Sequence, residues 1–353
     1  MLLINELIRS ENVNTAWQWL RDSRKHFPAN ADIWHLRFHH ATLLPHILDK
    51  LKSGRFRFTP MQIVTKANGE TIALWPAADA FVLKLITLAL QDILPVHKSC
   101  THVKGHGGHK ATVRQTHNWI AGGAYTFICK TDIRGYYANI NKMQLLNLLA
   151  KHIDCPILLN LLAQFLNYSV ENGGNFHTPR KGIPRGCPLS PLLAGFHLYE
   201  LDHDLAHRKG VRYLRFMDDL LIISKTRWQL RRAIVTMNQW FEMSELEQHP
   251  DKTYIGRIAH GFDWLGYQYD RFGLCDLSAK TKAHAKIKIR RLYEQACKCD
   301  TDRVSAHKQV ANYLRRWHRW TSAGLGQLLS AHSNPFMRLR ALTLTLTLAS
   351  PIC

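Results

Sequence analysis

The stretch that decides the fold is residues 181–193, Lys181-Gly182-Ile183-Pro184-Arg185-Gly186-Cys187-Pro188-Leu189-Ser190-Pro191-Leu192-Leu193. Its glycines allow a backbone to approach a substrate closely, and its prolines stiffen a turn that enters a helix. An ordinary loop needs one or two such residues, not the whole string. Acidic residues set in apolar surroundings lie on either side. Upstream, Asp132 closes the hydrophobic run Thr126-Phe127-Ile128-Cys129 and leads into Ile133-Arg134-Gly135-Tyr136-Tyr137. Downstream, Asp218-Asp219 sits between Phe216-Met217 and Leu220-Leu221. Adjacent carboxylates in an apolar strand pair repel and lose hydration, so they call for a cation or for exposure. Mg²⁺ takes hard oxygen ligands, and two such ions about 3.5–4 Å apart are what phosphoryl transfer to a 3′ hydroxyl requires.

Outward from this centre, residues 1–50 read as helical around a break at Phe27-Pro28, with Trp17, Leu20, Trp34, Leu36 and Phe38 as buried candidates. Arg55 to Lys66 alternates polar and apolar residues and reads as strand, and Asn68-Gly69 turns it into Thr71–Trp75. Pro76 opens a buried helix over 77–94, and a Gly/His/Lys-rich loop over 104–110 precedes another near 111–120. Helices are expected over 142–152, 157–168, 191–205 and 227–242. Residues 213–224 should form a hairpin with both aspartates at its tip, and a short strand comes next near 253–256. From Lys280 onward the chain is helical and basic. The alternation is too irregular for a doubly wound sheet, so the fold class is α+β.

Composition narrows the partner. The 353 residues include 47 Lys and Arg against 26 Asp and Glu, a net charge of +21. The basic residues are spread along the chain, which favours nucleic acid as the polyanion that relieves the self-repulsion. An apolar fraction of 46% with ten tryptophans can fill a core, which excludes global disorder. Eight cysteines show no CxxC spacing, and Cys297 and Cys299 are too close for a zinc pair. With no signal peptide, they read as reduced thiols of a cytoplasmic protein. No apolar run reaches the roughly twenty residues of a membrane span.

Taken together, the motifs resemble those of group II intron reverse transcriptases and their bacterial relatives. TDIRGYYANI (131–140) is similar to motif A, GIPRGCPLSPLL (182–193) to motif B, and RFMDDLLII (215–223) to the catalytic tyrosine-x-Asp-Asp box, with Phe216 in place of tyrosine. HPDKT (249–253) resembles motif D and FDWLGYQY (262–269) the primer grip. Upstream, VTKANGETIALWP (64–76) resembles the fingers strands and HVKGHGGHKATV (102–113) the glycine-rich loop before motif A. The resemblance implies a right-hand polymerase: an N-terminal helical region (1–50), fingers and palm (51–276), and a basic helical thumb (277–353).

It implies further that Asp132, Asp218 and Asp219, with the Ile133 carbonyl, hold two Mg²⁺ ions, for which Mn²⁺ may substitute. Lys66, Tyr137, Arg185, Gly186 and Lys252 would serve the nucleotide, with Tyr137 excluding a ribose 2′-OH and Lys252 donating a proton to pyrophosphate. Trp264, Leu265 and Gly266 would hold the primer end. Two departures stand out. Arg185 replaces the usual motif B glutamine, adding a cation and a stacking plane. Ile72 falls near the family's triphosphate-binding arginine, so either Lys66 and another basic residue take over or the alignment slips there.

The cations Lys280, Lys282, Lys286, Lys288, Arg290 and Arg291 crowd one helix, with Ala283, Ile287 and Leu292 read as its inner face. Arg315 and Arg316 interleave with Trp317 and Trp320, a pattern suited to tracking a duplex backbone. The expected function is RNA-directed DNA synthesis from an RNA template, a DNA primer and dNTPs, in a retroelement or an antiviral defence system. No endonuclease or RNase H fits in this length, so a structured noncoding RNA, a second protein or self-association is expected as partner. The alternatives are a maturase-like RNA-binding protein and a template-independent or RNA polymerase on the same palm.

Overall fold

The structure, a computed structural model, describes residues 2–65, 69, 71–298 and 303–325. Eleven strands lie in three sheets among these residues: β1 (Met61–Thr65), β2 (Thr71–Leu74), β3 (Phe127–Asp132), β4 (Val170–Asn172), β5 (Asn175–His177), β6 (Val211–Phe216), β7 (Asp219–Ser224), β8 (Tyr254–Arg257), β9 (Phe262–Trp264), β10 (Tyr267–Asp270) and β11 (Gly273–Leu277). The sheet orders are β2-β1-β4-β5, β6-β7-β3-β8 and β11-β10-β9. Helices pack around them, and the α+β, right-hand polymerase class expected from the sequence holds.

Two apolar cores divide the work. The larger joins the N-terminal helices (Leu7, Leu20, Ile33, Leu51) to the buried helix Ala77–Leu90 and to the helices after motifs A and B. The second lies on the other face of the central sheet. There Ile128, Leu221 and Ile223 meet the helix Gly108–Ala121, the β9–β11 meander and the C-terminal helices through Ala285, Ile289, Val310, Leu314 and Trp317. No helix among the described residues is long and apolar enough to cross a membrane.

Several sequence expectations need correction. Phe38 is 84% exposed, since its helix Asp32–Phe38 buries Ile33 and Leu36 instead. The first strand begins only at Met61, after an irregular 55–60. The helix expected over 191–205 is two, Leu189–His197 and Tyr199–Ala206, broken at Leu198. The basic helix Ala279–Lys298 buries Ala285 and Ile289, while Ala283 and Ile287 face outward. Lys66 lies outside the described residues.

What positions the site is the β6–β7 hairpin. Phe216 pairs with Asp219 across a two-residue turn, Met217-Asp218, so only Asp218 is at the tip and Asp219 opens β7. Met217 takes φ +58°, a left-handed conformation costly for a side chain of this kind, and the surroundings over-determine it. Arg215, fully buried on β6, donates to the Met217 carbonyl (3.2 Å) and to the Ala194 and Gly195 carbonyls. Its Nε and Nη2 grip both carboxylate oxygens of the equally buried Asp202, at 2.8 and 2.5 Å. The Tyr213 hydroxyl adds a third bond to Asp202 (2.7 Å). From the other side, His102 Nδ1 accepts from the Met217 N–H (3.1 Å), while its Nε2 bonds the Pro191 carbonyl (3.0 Å).

Two outcomes are expected. Arg215→Met leaves the Asp202 charge buried and unpaired, so chemical denaturation should show a loss of about 3–5 kcal/mol, much of it recovered in Arg215→Met/Asp202→Leu. A double variant no more stable than Arg215→Met would contradict this. His102 must stay neutral to accept from Met217, and burial, with Arg215 nearby, holds its pKa down to about 4. A folded pKa below the ordinary 6.5 gives stability that is complete above pH 6.5 and is lost as pH falls towards 4. His102→Gln should therefore flatten the stability profile across that window by about 2–3 kcal/mol, read by urea titration at successive pH values.

Candidate polymerase active site

β3 and β7 run antiparallel in a register that places Asp132 opposite Asp219. The Ile133 N–H donates to the Asp218 carbonyl (2.9 Å), tying the strand end to the hairpin tip. Beyond Asp132 the strand is stitched on its other side to 247–249, through Arg134 N–H to the Glu247 carbonyl (2.9 Å) and His249 N–H to the Asp132 carbonyl (2.8 Å). This second seam brings Lys252 over the site from the short turn Pro250–Lys252, where its ammonium meets Asp132 Oδ2 at 2.9 Å.

Three carboxylates thus share one sheet end with one adjacent lysine. Asp132 is buried, and Asp218 and Asp219 are half-buried. Burial, then Asp218 and Asp132, pushes Asp219 up to about 7, and burial with Asp132 beside it raises Asp218. Lys252 is raised by its bond to Asp132. The cluster therefore holds more negative charge than its protein surroundings balance. Among the described residues no three His, Cys, Asp or Glu side chains already stand as a metal cage. Lys252 occupies Asp132, and sites of this chemistry are completed by substrate phosphates and water rather than by protein alone.

A cleft of about 890 Å³ opens on this cluster and gathers residues far apart in the chain: Asp132, Asp219 and Lys252, Trp264, Leu265 and Gly266, and Lys280. Leu265 and Gly266 form the left-handed turn between β9 and β10, with φ +47° and +87°. A Cβ on Gly266 would stand 2.9 Å from Trp320, so the turn needs glycine to sit beneath the C-terminal helix. His109 clamps it by bonding the Leu265 carbonyl (3.0 Å), with its ring against Phe216, Tyr267 and Trp320. His109 is thus a structural bridge between the hairpin and the C-terminal helices. Trp264 is buried with its indole N–H unpartnered.

The motif B loop packs directly on motif A. A Cβ on Gly182 (φ +87°) would lie 2.7 Å from the carbonyls of Tyr137 and Ala138, and the Ile183 N–H donates to the Tyr137 carbonyl (2.8 Å). Of the two tyrosines, Tyr136 is the packing residue, fully buried and bonded to the Ala194 carbonyl (2.7 Å). Tyr137 is buried with an unpartnered hydroxyl, and Asp218 is among the charges that act on it. Arg185 is exposed, close enough to act on Asp218, and Gly186 lines a second cavity of about 740 Å³ with Trp19, Lys84 and Lys104.

The remaining expected residues do not join the cleft. Lys286, Lys288, Arg290 and Arg291 are exposed along their helix, Lys282 pairs with Asp276, and Arg315 and Arg316 line a separate hollow with Arg319. Sequence reasoning missed Arg215, Asp202 and His102. The available signal was a single arginine in the apolar run Tyr213–Phe216, which needs a partner when buried; Asp202 lies among Glu200, His203 and Asp204 and gave none.

Comparison with known proteins fits this geometry. The reverse transcriptase (RNA-dependent DNA polymerase) family matches residues 80–269, more than half of the chain. The group II intron-encoded protein LtrA of Lactococcus lactis subsp. cremoris is 30% identical over 162 residues, covering 44% of this chain and 27% of its own. The putative COX1/OXI3 intron 1 protein of Saccharomyces cerevisiae is 25% identical over 164 residues, 44% of this chain and 19% of its own. The chain thus spans about a quarter or less of the length of these relatives. Among solved structures, a partial Cas6-RT-Cas1–Cas2 complex is similar with TM-score 0.41 at 21% identity, over 68% of this chain and 41% of that one. Apo telomerase from Candida tropicalis, truncated from its C-terminal domain, reaches 0.44 at 13% identity, over 56% and 44%. The match over 80–269 spans motifs A, B and the Asp-Asp hairpin together, and on it the chain belongs to the reverse transcriptase family.

Proposed function

We propose that the protein is an RNA-directed DNA polymerase that extends a DNA primer on an RNA template by two-metal phosphoryl transfer. The observation that carries this reading is the register of Asp132 against Asp219, with Asp218 tied to Ile133, beside a cleft that also holds Lys252 and the Trp264-Leu265-Gly266 turn. Reverse transcriptases use divalent metal ions. In this protein Asp132, Asp218 and Asp219, with the Ile133 carbonyl, would hold two Mg²⁺, or Mn²⁺ in its place. Such ions lower the pKa of an attacking hydroxyl and neutralise phosphate charge. The under-balanced carboxylate cluster supports their fit.

The chain's own groups have separate tasks. Lys252, kept protonated by Asp132, gives a proton to departing pyrophosphate, a role its charge supports. Tyr137 limits space at the sugar, and Arg185 and Gly186 meet the templating nucleotide. Trp264, Leu265 and Gly266 seat the primer end, and Lys66 contacts the triphosphate. Lys280, Lys282, Lys286, Lys288, Arg290, Arg291, Arg315 and Arg316 track the duplex backbone, so residues 277 onward act as the thumb to the fingers and palm of 51–276. The excess positive charge supports a structured noncoding RNA as a standing partner, alone or with a second protein or second copy.

Primer extension on defined RNA and DNA templates tests the reading. The wild type should extend a DNA primer on RNA with dNTPs and Mg²⁺. Asp218→Asn should lower the rate about a thousandfold or more, several kcal/mol of transition-state stabilisation. No product on any template, or a rate untouched by Asp218→Asn, would overturn the proposal. Tyr137→Val should raise ribonucleotide use relative to dNTPs by roughly ten- to a hundredfold. An unchanged ratio would remove Tyr137 from sugar selection.

A further inference from the structure

The hairpin has a second end. β7 runs from Asp219 to Ser224, about 17 Å at 3.3–3.4 Å per residue, so the chain beyond Ser224 lies well away from the carboxylates. Its next residues are Lys225-Thr226-Arg227-Trp228-Gln229-Leu230-Arg231-Arg232. Thr226 and Gln229 form a complete capping box, which fixes the start of the helix Arg227–Met243. Gly210 is packed against the capping Gln229, since a Cβ there would stand 2.2 Å from its amide. The local backbone is thus well determined, and its basic and aromatic side chains are left at the surface.

Trp228 is 70% exposed, and the Arg231 guanidinium lies over its ring at 5.3 Å. Lys225, Arg227, Arg231 and Arg232 are all exposed. Arg257 joins them from β8, two strands across, where it lies over Phe127, the residue paired with Ser224. None of these cations has a carboxylate partner among the described residues. A solvated helix face does not explain the arrangement. Helix stability favours acidic residues in a first turn, yet this one has none and starts on arginine. Among the described residues Trp228 is also the one tryptophan left exposed, the other nine being buried or half-buried.

We propose that this end of the central sheet is a second nucleic-acid surface, on which Trp228 stacks an unpaired base and Lys225, Arg227, Arg231, Arg232 and Arg257 take the flanking phosphates of a single strand. Stacking on an aromatic side chain is tolerant of sequence, and the cations supply a salt-dependent grip on the backbone. The surface holds a strand outside the polymerase cleft, so an RNA can be retained while its other parts are copied. The assignment rests on the polymerase reading only in taking RNA as the probe, because its chemistry needs no catalysis.

The test is anisotropy of a labelled single-stranded RNA of about twelve nucleotides, titrated between about 50 and 300 mM KCl, a range over which phosphate contacts are salt-sensitive, with the full-length protein already saturated by an unlabelled RNA–DNA hybrid. The triple variant Arg227→Ala/Arg231→Ala/Arg232→Ala should weaken binding more than about tenfold at low salt and flatten the log–log salt slope by about two, three contacts at roughly 0.7 each. Trp228→Ala should weaken binding roughly tenfold at every salt concentration with the slope unchanged. Primer extension on a short hybrid should stay within about twofold of wild type for both variants, which separates this surface from the cleft. Wild-type affinity and slope in the triple variant would overturn the proposal. So would a loss of primer extension parallel to the loss of RNA binding. A wild type inactive in primer extension that still shows both binding effects would sink the polymerase reading and leave this surface standing.

Discussion

A fully buried ion pair, Arg215 with Asp202, underlies the geometry of the site. Taking both charges out of water is expensive, and an apolar pair of equal volume would serve stability as well or better. What the pair supplies is direction. A guanidinium has five donors in a rigid plane, and here they reach Asp202, two helix carbonyls and the Met217 carbonyl at once. That locks the hairpin carrying Asp218 and Asp219 to the helices after motif B. Gly195 lets the loop before the glycine-rich segment approach the same helix, because a Cβ there would stand 2.8 Å from Val103. Strain at Met217 is held by these contacts together with His102.

With the hairpin fixed, the electrostatics of the cleft are set as well. Asp132 and Asp219 face each other by strand register, Asp218 is held by its carbonyl, and the site's negative charge exceeds what Lys252 balances. Burial raises the two hairpin aspartates, so they keep their protons to a higher pH than free carboxylates do. Away from this negative centre basic residues outnumber acidic ones, with exposed clusters on the helix Ala279–Lys298 and at the far end of the sheet. The chain thus pairs a small acidic cluster with a broadly basic exterior.

Much of this was legible in the sequence. Asp132, the Asp218-Asp219 pair and the motif B string between them specified the strand pairing and its neighbours, since each carries constraints a loop would not need. Other parts were not. The β9–β11 meander is built of strands three to five residues long, too short for periodicity to declare. In the basic helix, Ala283 and Ile287 lie four apart, as do Ala285 and Ile289, so sequence offered two equal stripes and packing against Trp317 and Leu314 chose the second. Phe38 read as core by residue type alone and lies at the surface. Arg215 and Asp202, thirteen residues apart on different elements, gave no pattern, only one unexplained charge in an apolar strand and one aspartate among the polar residues of its helix.

The most direct measurement is a Mn²⁺ titration monitored by electron paramagnetic resonance, on the protein bound to an RNA–DNA hybrid and a non-hydrolysable deoxynucleoside triphosphate. Two ions should bind in the ternary complex, and Asp132→Asn or Asp218→Asn should abolish that occupancy while leaving hybrid binding intact. Ion binding unaltered by either substitution would contradict the assignment of these carboxylates and, with it, the polymerase site built on them.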